Sequence, residues 1–382
     1  MSVKSTQQPR QFPTGPNLAD SIDDVLLCID AIDPVRYDKT RNYLDGAVTW
    51  LSPYITHGVI NTSTVAERVL AQHAPKTCYR LLYELAWREY FHRIWQEYDD
   101  AIFCDMYHAQ MSADSHVLPQ AIVLANTGIH VLDEGLRTVQ TTGWMHNHMR
   151  MWVAGTTCNV AHTHWKLPAK WLYFHLLDGD LASNTLSWQW IAGTFSHKQY
   201  IANQENINKY SRTEQHGTWL DVSYETLANM PTPEALGARE YELVLSQTAP
   251  GSSVPEPDSV IGSEPLRKKF GLRSLWNLNP NWLADDKEVV QVLFIEQDQV
   301  NEWPMSSHRW EFIQHWSDQL GIDVWLGSVD QLTRLESAGV SFVREEYPAC
   351  AHWPGAVMDR TFHFPVPEDA YRSFSQFWKQ VK

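Results

Sequence analysis

Apolar and polar positions along the first half of the chain follow the three- and four-residue spacing of helices. The pattern extends from about residue 21 to residue 210. An example is the series Leu81, Leu82, Leu85, Phe91 and Ile94. Such spacing places apolar side chains on one face of a helix. The pattern therefore predicts an all-helical first domain, which we delimit as residues 1–225.

The second half of the chain has a different pattern. Proline, glycine and serine crowd together over residues 230–265 without periodicity, which predicts an irregular linker over residues 226–285. The regular segments beyond it are a strand at 289–295, an amphipathic helix at 309–320, a second strand at 322–326 and a terminal helix at 369–381. Residues 286–382 are therefore predicted to form a small α/β module, and the predicted fold class is mainly α.

Composition argues against a membrane-spanning protein. The 382 residues are 43% hydrophobic and 20% charged, and no run of about 18 apolar residues occurs. The first residues lack the apolar region of a signal peptide. The five cysteines lie far apart without any CxxC pair, which argues against a zinc ribbon and leaves an iron–sulfur cluster only as a minor alternative. We expect a cytoplasmic protein with reduced thiols and no metal site.

The net charge of −15 is distributed unevenly along the chain. Residues 1–215 hold 17 basic and 21 acidic residues, whereas residues 216–382 hold 13 basic and 24 acidic residues. A nucleic-acid binder needs local positive charge to displace counterions from phosphates. Any DNA contact therefore requires a focused basic patch on the first domain.

The densest cluster of candidate functional residues is LLDGDLASNTLSWQW, residues 176–190. Its Asp-Gly pair signals a turn, and Asp180 is placed to cap the helix that follows. Asp180, Asn184 and Trp188 recur every four residues and share one helix face. An acid, an amide and an indole on one face can hold a flat heteroaromatic ligand. The alternative is a capped helix with its tryptophans in the core, although an amide such as Asn184 needs hydrogen-bond partners that an apolar core lacks.

Three further clusters combine polar and aromatic residues. In chain order they are AVTWLSPYITHG with Thr49 and Ser52, YELAWREYFHRIW with Glu84 and Arg88, and TTGWMHNHMRM with His146, Asn147 and Arg150. The first offers backbone N–H groups just before a predicted helix, which can cradle a phosphate. Each cluster also has a plain structural explanation: an N-cap, a solvated salt bridge and a polar helix start.

Together and in this order, the four clusters resemble the FAD-binding domain of the DNA photolyase and cryptochrome family. The similarity runs from about residue 37 to residue 190, and its specific motifs are LSPY, TGWMHN, DGDLASN and WQW. The resemblance implies a helical bowl that holds one U-shaped FAD. The residues it implies as FAD contacts are Tyr37, Val48, Thr49, Trp50, Leu51, Ser52, Arg88, Arg150, Asp178, Gly179, Asp180 and Asn184.

The resemblance also implies roles within this set. The turn from Val48 to Ser52 is implied to hold the diphosphate, and Arg150 and Asp178 to form an ion pair beside the isoalloxazine. Asn184 matches the residue opposite flavin N5. A neutral amide there can donate or accept and tolerates negative charge on the reduced flavin, which a carboxylate would oppose.

The same resemblance implies a pocket for damaged DNA. The residues implied to line it or to contact DNA are Arg41, Glu84, Trp87, Asn147, His148, Met151 and Trp190. A flipped pyrimidine dimer needs aromatic faces to stack on and polar groups that read its base edges. Met151 stands where (6-4) photolyases carry a histidine, which favours the cyclobutane dimer as the lesion.

Two tryptophans match the family's electron-transfer chain. Trp188 matches the indole nearest the flavin, and Trp165 matches the second member. No tryptophan lies between Trp95 and Trp144, where the third would fall, and Tyr107 is the nearest candidate to replace it. The residues implied as catalytic are therefore Glu84, Asn147, Met151, Asn184, Trp188 and Trp165.

Three departures from the family pattern bear on DNA and on partners. His148 replaces an arginine that contacts DNA, which exchanges a fixed cation for a group mostly neutral at pH 7. The proline- and arginine-rich stretch that follows WQW in the family is absent. The family's α/β antenna domain precedes its FAD domain, whereas here the FAD domain begins close to Met1. A separate protein partner in place of that domain is one explanation.

The C-terminal module leaves two interpretations open. Residues 286–382 resemble the later part of the antenna domain, or they form an unrelated α/β cap.

The resemblance favours a short, deoxyribodipyrimidine photolyase-like lyase. Such a flavoprotein would repair cyclobutane pyrimidine dimers in damaged DNA by light-driven electron transfer from reduced FAD. The alternative is a cryptochrome-like blue-light or redox sensor that binds FAD without repairing DNA. The acidic C-terminal module, His148 and the altered segment after WQW favour the sensor.

Overall fold

The computed structural model describes residue 15 and residues 18–196, 198–257 and 269–382. A helical part is followed by an α/β part, in the order that the sequence predicts. The helices of the first part are α1 (Ile22–Asp30), α2 (Pro34–Thr40), α3 (Ser52–Thr56), α4 (Thr62–Gln72), α5 (Pro75–Tyr98), α6 (Gln120–Val123), α7 (His130–Thr142), α8 (Asn147–Gly155), α9 (Lys166–His175), α10 (Leu181–Ala192), α11 (Gln204–Ser211) and α12 (Tyr224–Asn229). Short 3₁₀ segments lie at Asp99–Phe103 and Glu234–Leu236, and a π-helical turn, Thr156–Val160, continues α8.

The second part is built on a parallel sheet. Its strands are β1 (Ser252–Ser253), β2 (Lys269–Arg273), β3 (Val289–Glu296), β4 (Asp323–Gly327), β5 (Ser341–Glu345) and β6 (Ala356–Met358). Its helices are α13 (Gln297–Glu302), α14 (Ser307–Leu320), α15 (Val329–Ser337) and α16 (Phe374–Val381), with a 3₁₀ turn at Pro348–Cys350. The structure confirms the regular elements predicted after residue 286, with shifted ends. They are two strands, the helix between them and the terminal helix.

The strands lie in the order β1-β4-β3-β2-β5-β6, and all described pairings are parallel. From the central strand β2 the chain proceeds outward through β3 and β4 on one side, then returns to β5 and β6 on the other. This order is that of a doubly wound sheet, which opens a crevice at the carboxyl ends of β2 and β5.

The fold class needs a correction: the molecule is mixed α/β, because its second part combines helices with a parallel sheet. The predicted linker over residues 226–285 contains β2, the strand that pairs with both β3 and β5. Only five residues long and interrupted by Gly271, this strand carries too little periodic signal to stand out beside a proline-rich segment. The α/β part therefore begins well before residue 286.

The two parts share one apolar core. Tyr54 and Leu85 of the helical part belong to the same buried cluster as Leu293, Trp310 and Phe377 of the α/β part. A second core lies within the helical part, around Trp152, Trp171 and Trp188. The α/β part thus covers this surface of the helical part from within the chain.

Candidate active site

The turn between α9 and α10 carries two buried carboxylates. At its end, Asp180 has an extended backbone and accepts a hydrogen bond from Ser183 N at 2.8 Å, so it caps α10 as the sequence predicts. A Cβ on Gly179 would lie 2.9 Å from the Tyr173 carbonyl oxygen and 2.7 Å from Arg309 Nη1. Only glycine fits at this position between the two carboxylates.

Asp178, the first carboxylate, forms an ion pair with Arg150. Arg150 Nη2 lies 2.8 and 2.9 Å from the two carboxylate oxygens, and its Nε donates to the Met145 carbonyl at 2.9 Å. Burial would raise the pKa of Asp178, but the Arg150 guanidinium and the Ser52 hydroxyl outweigh burial and hold that pKa below its usual range. The pair is therefore ionised at neutral pH.

Asp180, the second carboxylate, is the centre of a buried polar network. Its Oδ1 lies 3.0 Å from His92 Nε2 and 3.6 Å from Arg88 Nη2. On the other side of the imidazole, Arg360 Nη1 lies 3.0 Å from His92 Nδ1. Because arginine only donates and an ionised carboxylate only accepts, His92 must carry its proton on Nε2.

The pKa shifts agree with this assignment. Burial lowers the pKa of His92 to about 4 in spite of the neighbouring Asp180, so the imidazole is neutral. Burial would raise the pKa of Asp180. His92 and Arg88 outweigh this effect and hold the pKa of Asp180 well below its usual range. We call the set Asp178, Asp180, Arg150, Arg88 and His92 the floor of the site.

The face of α10 above the floor is not buried. Ser183, Asn184, Ser187 and Trp190 are its non-buried positions, and their spacing puts them on one side of the helix. Asn184 Nδ2 donates to the Ala169 carbonyl at 2.9 Å, which fixes the orientation of the amide. Ser183 Oγ is buried without a partner among the described residues. This face offers hydroxyl and amide groups to a ligand.

The loop before α3 is attached to the floor. Ser52 hydrogen-bonds to Asp178, while Leu51 is buried and donates its N–H to Thr49 Oγ1 at 3.4 Å. Trp50 has a positive φ of 58° and packs its ring 4.8 Å from that of Trp144. The structure thus brings the loop predicted to hold a diphosphate, including the half-buried Val48, next to the predicted ion pair.

This donor set fits the FAD that the sequence predicts. The site combines an unpartnered hydroxyl, a fixed amide, the half-buried Arg88 and two ionised carboxylates. A flavin needs both donors and acceptors at its ring edge and cations near its diphosphate.

Of the residues predicted to line the DNA pocket or to contact DNA, all but His148 keep part of their side chain accessible, and we call these six the rim: Arg41, Glu84, Trp87, Asn147, Met151 and Trp190. Arg41 Nε lies 3.3 Å from Glu84 Oε1, which ties α5 to the end of α2. Burial raises the pKa of Glu84, against the lowering effect of Arg41. Asn147 is exposed, Met151 is half-buried, and Trp190 is 37% exposed. Polar and aromatic groups therefore face solvent here.

Tyr37, a predicted FAD contact, lies on α2 and is half-buried. Burial and the neighbouring Glu84 raise the pKa of its phenol, so Tyr37 is neutral. The structure places it beside the rim rather than beside the floor.

Trp87 and His148 differ from their predicted roles. The Trp87 indole stacks on Phe374 of α16, with ring centroids 3.8 Å apart and planes 10° apart, so that one face is covered. His148 is buried, and its Nδ1 lies 2.7 Å from the Asn42 carbonyl. Burial lowers the pKa of His148, so the ring is neutral. The prediction of a DNA contact by His148 does not fit this position, because the side chain holds the backbone that follows α2.

The predicted electron-transfer tryptophans are both buried. Trp188 lies on α10, and Trp165 immediately precedes α9. Tyr107 packs its ring 5.1 Å from Phe195, and its hydroxyl donates to the Arg372 carbonyl at 3.3 Å. Tyr107 therefore belongs to an aromatic cluster at α16.

Sequence reasoning missed three residues of this site. His92 follows Arg88 by four residues on α5, so helical spacing could have found it. Tyr347, whose hydroxyl donates to Asp180 at 3.4 Å, and Phe374 come from the α/β part, and only the tertiary fold brings them here.

Part of the chain is similar to known proteins. A family model described as the FAD binding domain of DNA photolyase matches residues 81–249, which include the floor and most of the rim. A deoxyribodipyrimidine photo-lyase of Streptomyces griseus is 29% identical over 237 residues, 61% of this chain and 50% of that protein. Residues 81–249 thus form an FAD-binding domain of the photolyase/cryptochrome family. Its cofactor is FAD.

The relatives include both branches of the family. A cryptochrome DASH of Danio rerio is 29% identical over 41% of this chain and 32% of that protein. A solved cryptochrome of Synechocystis sp. PCC6803 is 21% identical, with a TM-score of 0.44 over 56% of this chain and 47% of that one. The chain spans about half the length, or less, of the curated relatives it matches. No helix in the described ranges is long and apolar enough to cross a membrane.

Proposed function

We propose that this photolyase-family flavoprotein repairs cyclobutane pyrimidine dimers in DNA by light-driven electron transfer. The observation that carries the proposal is the exposed Trp190. It shares a helix face with Asn184 and Ser187, and 37% of its surface is open to solvent although most of α10 is buried. An exposed indole beside the polar groups of the same helix face suits a flipped base, which stacks on aromatic faces.

The polar groups of the rim match the needs of a pyrimidine dimer. Burial raises the pKa of Glu84, and its carboxyl oxygens can accept hydrogen bonds from an imide N–H. Asn147 offers an exposed amide with both functions. Arg41, already tied to Glu84, would contact the phosphate beside the lesion.

The floor would serve the cofactor. When bound, reduced FAD supplies the light-excited electron. Arg150 and Asp178 would orient the ring system, Asn184 would face N5, and the loop from Val48 to Ser52 would hold the diphosphate. Trp188 and Trp165 would deliver electrons that keep FAD reduced.

A second function, a blue-light or redox sensor without repair, is favoured by one observation. Phe374 occupies a face of Trp87, one of the aromatic surfaces that a lesion would use. The buried His148 supplies no cation for DNA either. Both features reduce the surface available for damaged DNA.

DNA binding in the dark tests the repair proposal against the sensor. We would titrate FAD-loaded protein with a duplex carrying one thymine dimer and with the undamaged duplex, at several salt concentrations. Repair predicts preferential binding of the damaged duplex and an affinity that falls with salt, because neutralised phosphates release counterions. Glu84→Ala should lose about tenfold in that preference, equivalent to one lost hydrogen bond to a buried base edge.

Glu97→Ala is the matched control, since Glu97 is an exposed acid on the same helix. It should leave the preference unchanged. Equal and weak binding of both duplexes would contradict the repair proposal and support the sensor.

A further inference from the structure

One predicted electron-transfer residue has an acidic hydrogen-bond partner. Trp165 is 1% exposed, and its indole Nε1–H donates to Asp105 Oδ1 at 2.6 Å. The Trp165 backbone N–H donates to Gln110 Oε1 at 2.9 Å, which holds the indole in place. The contact is a charge-assisted hydrogen bond to a group outside the predicted site.

Asp105 is anchored by two further donors. Its Oδ2 accepts from Gln110 N at 3.0 Å, and its Oδ1 lies 3.2 Å from His164 Nε2. His164 Nδ1 accepts from Lys166 N at 3.3 Å, so the ring proton is on Nε2 and points to Asp105. Burial lowers the pKa of His164 in spite of Asp105, so the ring is neutral.

The cluster also reaches the surface. The Asp105 side chain is 24% exposed and that of His164 is 18% exposed. The His164 ring stacks on His116 with centroids 4.7 Å apart. A proton that arrives at Asp105 can therefore leave to solvent, whereas the buried indole alone has no such route.

We propose that Asp105 is the proton acceptor of Trp165 during photoreduction of the flavin. The inference rests on the proposed function, in which Trp165 passes electrons through Trp188. Trp165 loses one electron, and bound, photoexcited oxidised FAD would be the oxidant that takes it up. The Nε1–H bond of Trp165 breaks, its proton forms an O–H bond on Asp105 Oδ1, and a neutral indolyl radical and a neutral carboxylic acid remain.

This step accounts for a chain with two tryptophans. Electron return to a neutral indolyl radical requires the proton to return as well, so proton loss traps the separated charge. The Tyr107 hydroxyl donates to the Arg372 carbonyl, which cannot accept a proton on oxidation, so Tyr107 is a poor substitute for a third member. Asp105 accepts the proton of oxidised Trp165, as solvent would accept the proton of an exposed terminal tryptophan.

Transient absorption after a blue flash tests the step, since the tryptophan radical cation and the neutral radical absorb differently. The wild type should form the neutral radical, with a slower rate in D₂O. Asp105→Asn should form the radical cation normally but lose its proton about 100-fold more slowly, because the base is gone. Asp114→Asn, at an exposed acid nearby in the chain, should behave as the wild type.

Three outcomes separate the possible failures. If Asp105→Asn deprotonates at the wild-type rate, the proposal is overturned while the electron chain stands. If Trp165→Phe still yields the same tryptophan radical, the electron chain itself is wrong. Should Asp105→Asn fold poorly, Asp105→Glu keeps the base, and its retention of fast deprotonation supports the step whereas its loss overturns it.

A readout in FAD-free protein is independent of photochemistry. Ultraviolet resonance Raman difference spectra against Trp165→Phe report the strength of the indole N–H hydrogen bond. A strong hydrogen bond that weakens in Asp105→Asn is expected, and an unchanged band would overturn the contact on which the step depends.

Discussion

The floor and the rim of the site are organised differently. In the floor, each buried charge has an opposite or hydrogen-bonding partner within 3.6 Å, and Gly179 leaves no space for rearrangement. In the rim, Asn147 and Trp190 face solvent, Arg41 and Glu84 pair only at the edge, and Trp87 is covered by a helix of the α/β part. The floor, which we propose to hold the cofactor, is thus preorganised by paired charges, whereas the rim, which we propose to meet the substrate, is largely open to solvent.

The largest expected effect comes from removing the Phe374 side chain, which covers one face of Trp87. Phe374 is buried against Trp87, so Phe374→Ala should lower the free energy of unfolding by about 4 kcal/mol, as for other buried phenylalanines. Urea unfolding measures the loss, with Val366→Ala as an exposed control. FAD content of the folded fraction should stay unchanged. Parallel loss of FAD would show that floor and rim are not separable.

Removing a charge from the floor should lower the free energy of unfolding slightly less than Phe374→Ala does, but it should release FAD. Arg150→Gln leaves the buried Asp178 charge without its partner, which we expect to cost about 3 kcal/mol. Flavin absorbance after gel filtration and urea unfolding are the measurements. Arg212→Gln is the matched control, because its pair with Asp45 is 48% and 44% exposed and should contribute less than about 1 kcal/mol.

Acid should weaken the floor through His92. Its pKa is about 4 in the folded chain, against 6.5 for a histidine in the unfolded chain, so below pH 6.5 the unfolded chain binds a proton that the folded chain does not. The contribution of the neutral His92 to the free energy of unfolding is therefore fully present above pH 6.5, and it is lost as the pH falls toward 4. Between pH 7 and pH 5 we expect a loss of about 2 kcal/mol.

Comparison of His92→Gln with His216→Gln isolates that contribution. The first variant should flatten the decline in the free energy of unfolding between pH 7 and pH 5. The second, at a side chain that is 73% exposed, should retain it. An unchanged slope in His92→Gln would refute the assignment of the neutral imidazole.

The smallest expected effect concerns the redox equilibrium of FAD beside Asn184. Asn184→Asp places a negative charge where the reduced flavin gains one, so the ratio of reduced to oxidised FAD at a fixed potential should fall about tenfold. Spectroelectrochemical titration measures the ratio. Gln199→Glu adds the same charge at an exposed position and should leave it unchanged. A wild-type ratio in Asn184→Asp would make the N5 assignment wrong.

The sequence predicted the floor better than the rim for a physical reason. Asp178, Asp180 and Asn184 lie within one turn and the start of one helix, so capping and helical spacing fix their geometry. Arg88 and Arg150 then meet them through neighbouring helices. The resemblance implies all five as FAD contacts, and that role stays a prediction, although the structure does bring the two arginines to the two aspartates.

What the sequence could not predict depends on distant contacts. The stack of Phe374 on Trp87 joins residues almost 290 positions apart in the chain, and local periodicity carries no such information. The same holds for β2, whose place at the centre of the sheet is set by pairing with β3 and β5. The burial of His148 likewise follows from its contact with Asn42, which helical spacing alone does not reveal.

Light-driven repair is the measurement that tests the central claim most directly. Protein loaded with FAD and chemically reduced would be illuminated with blue light in the presence of an oligonucleotide carrying one thymine dimer, and restored thymine absorbance would be followed. The account predicts recovery that requires light, persists in Glu97→Ala and falls strongly in Glu84→Ala. Absence of recovery from protein that retains FAD and photoreduces normally would contradict it.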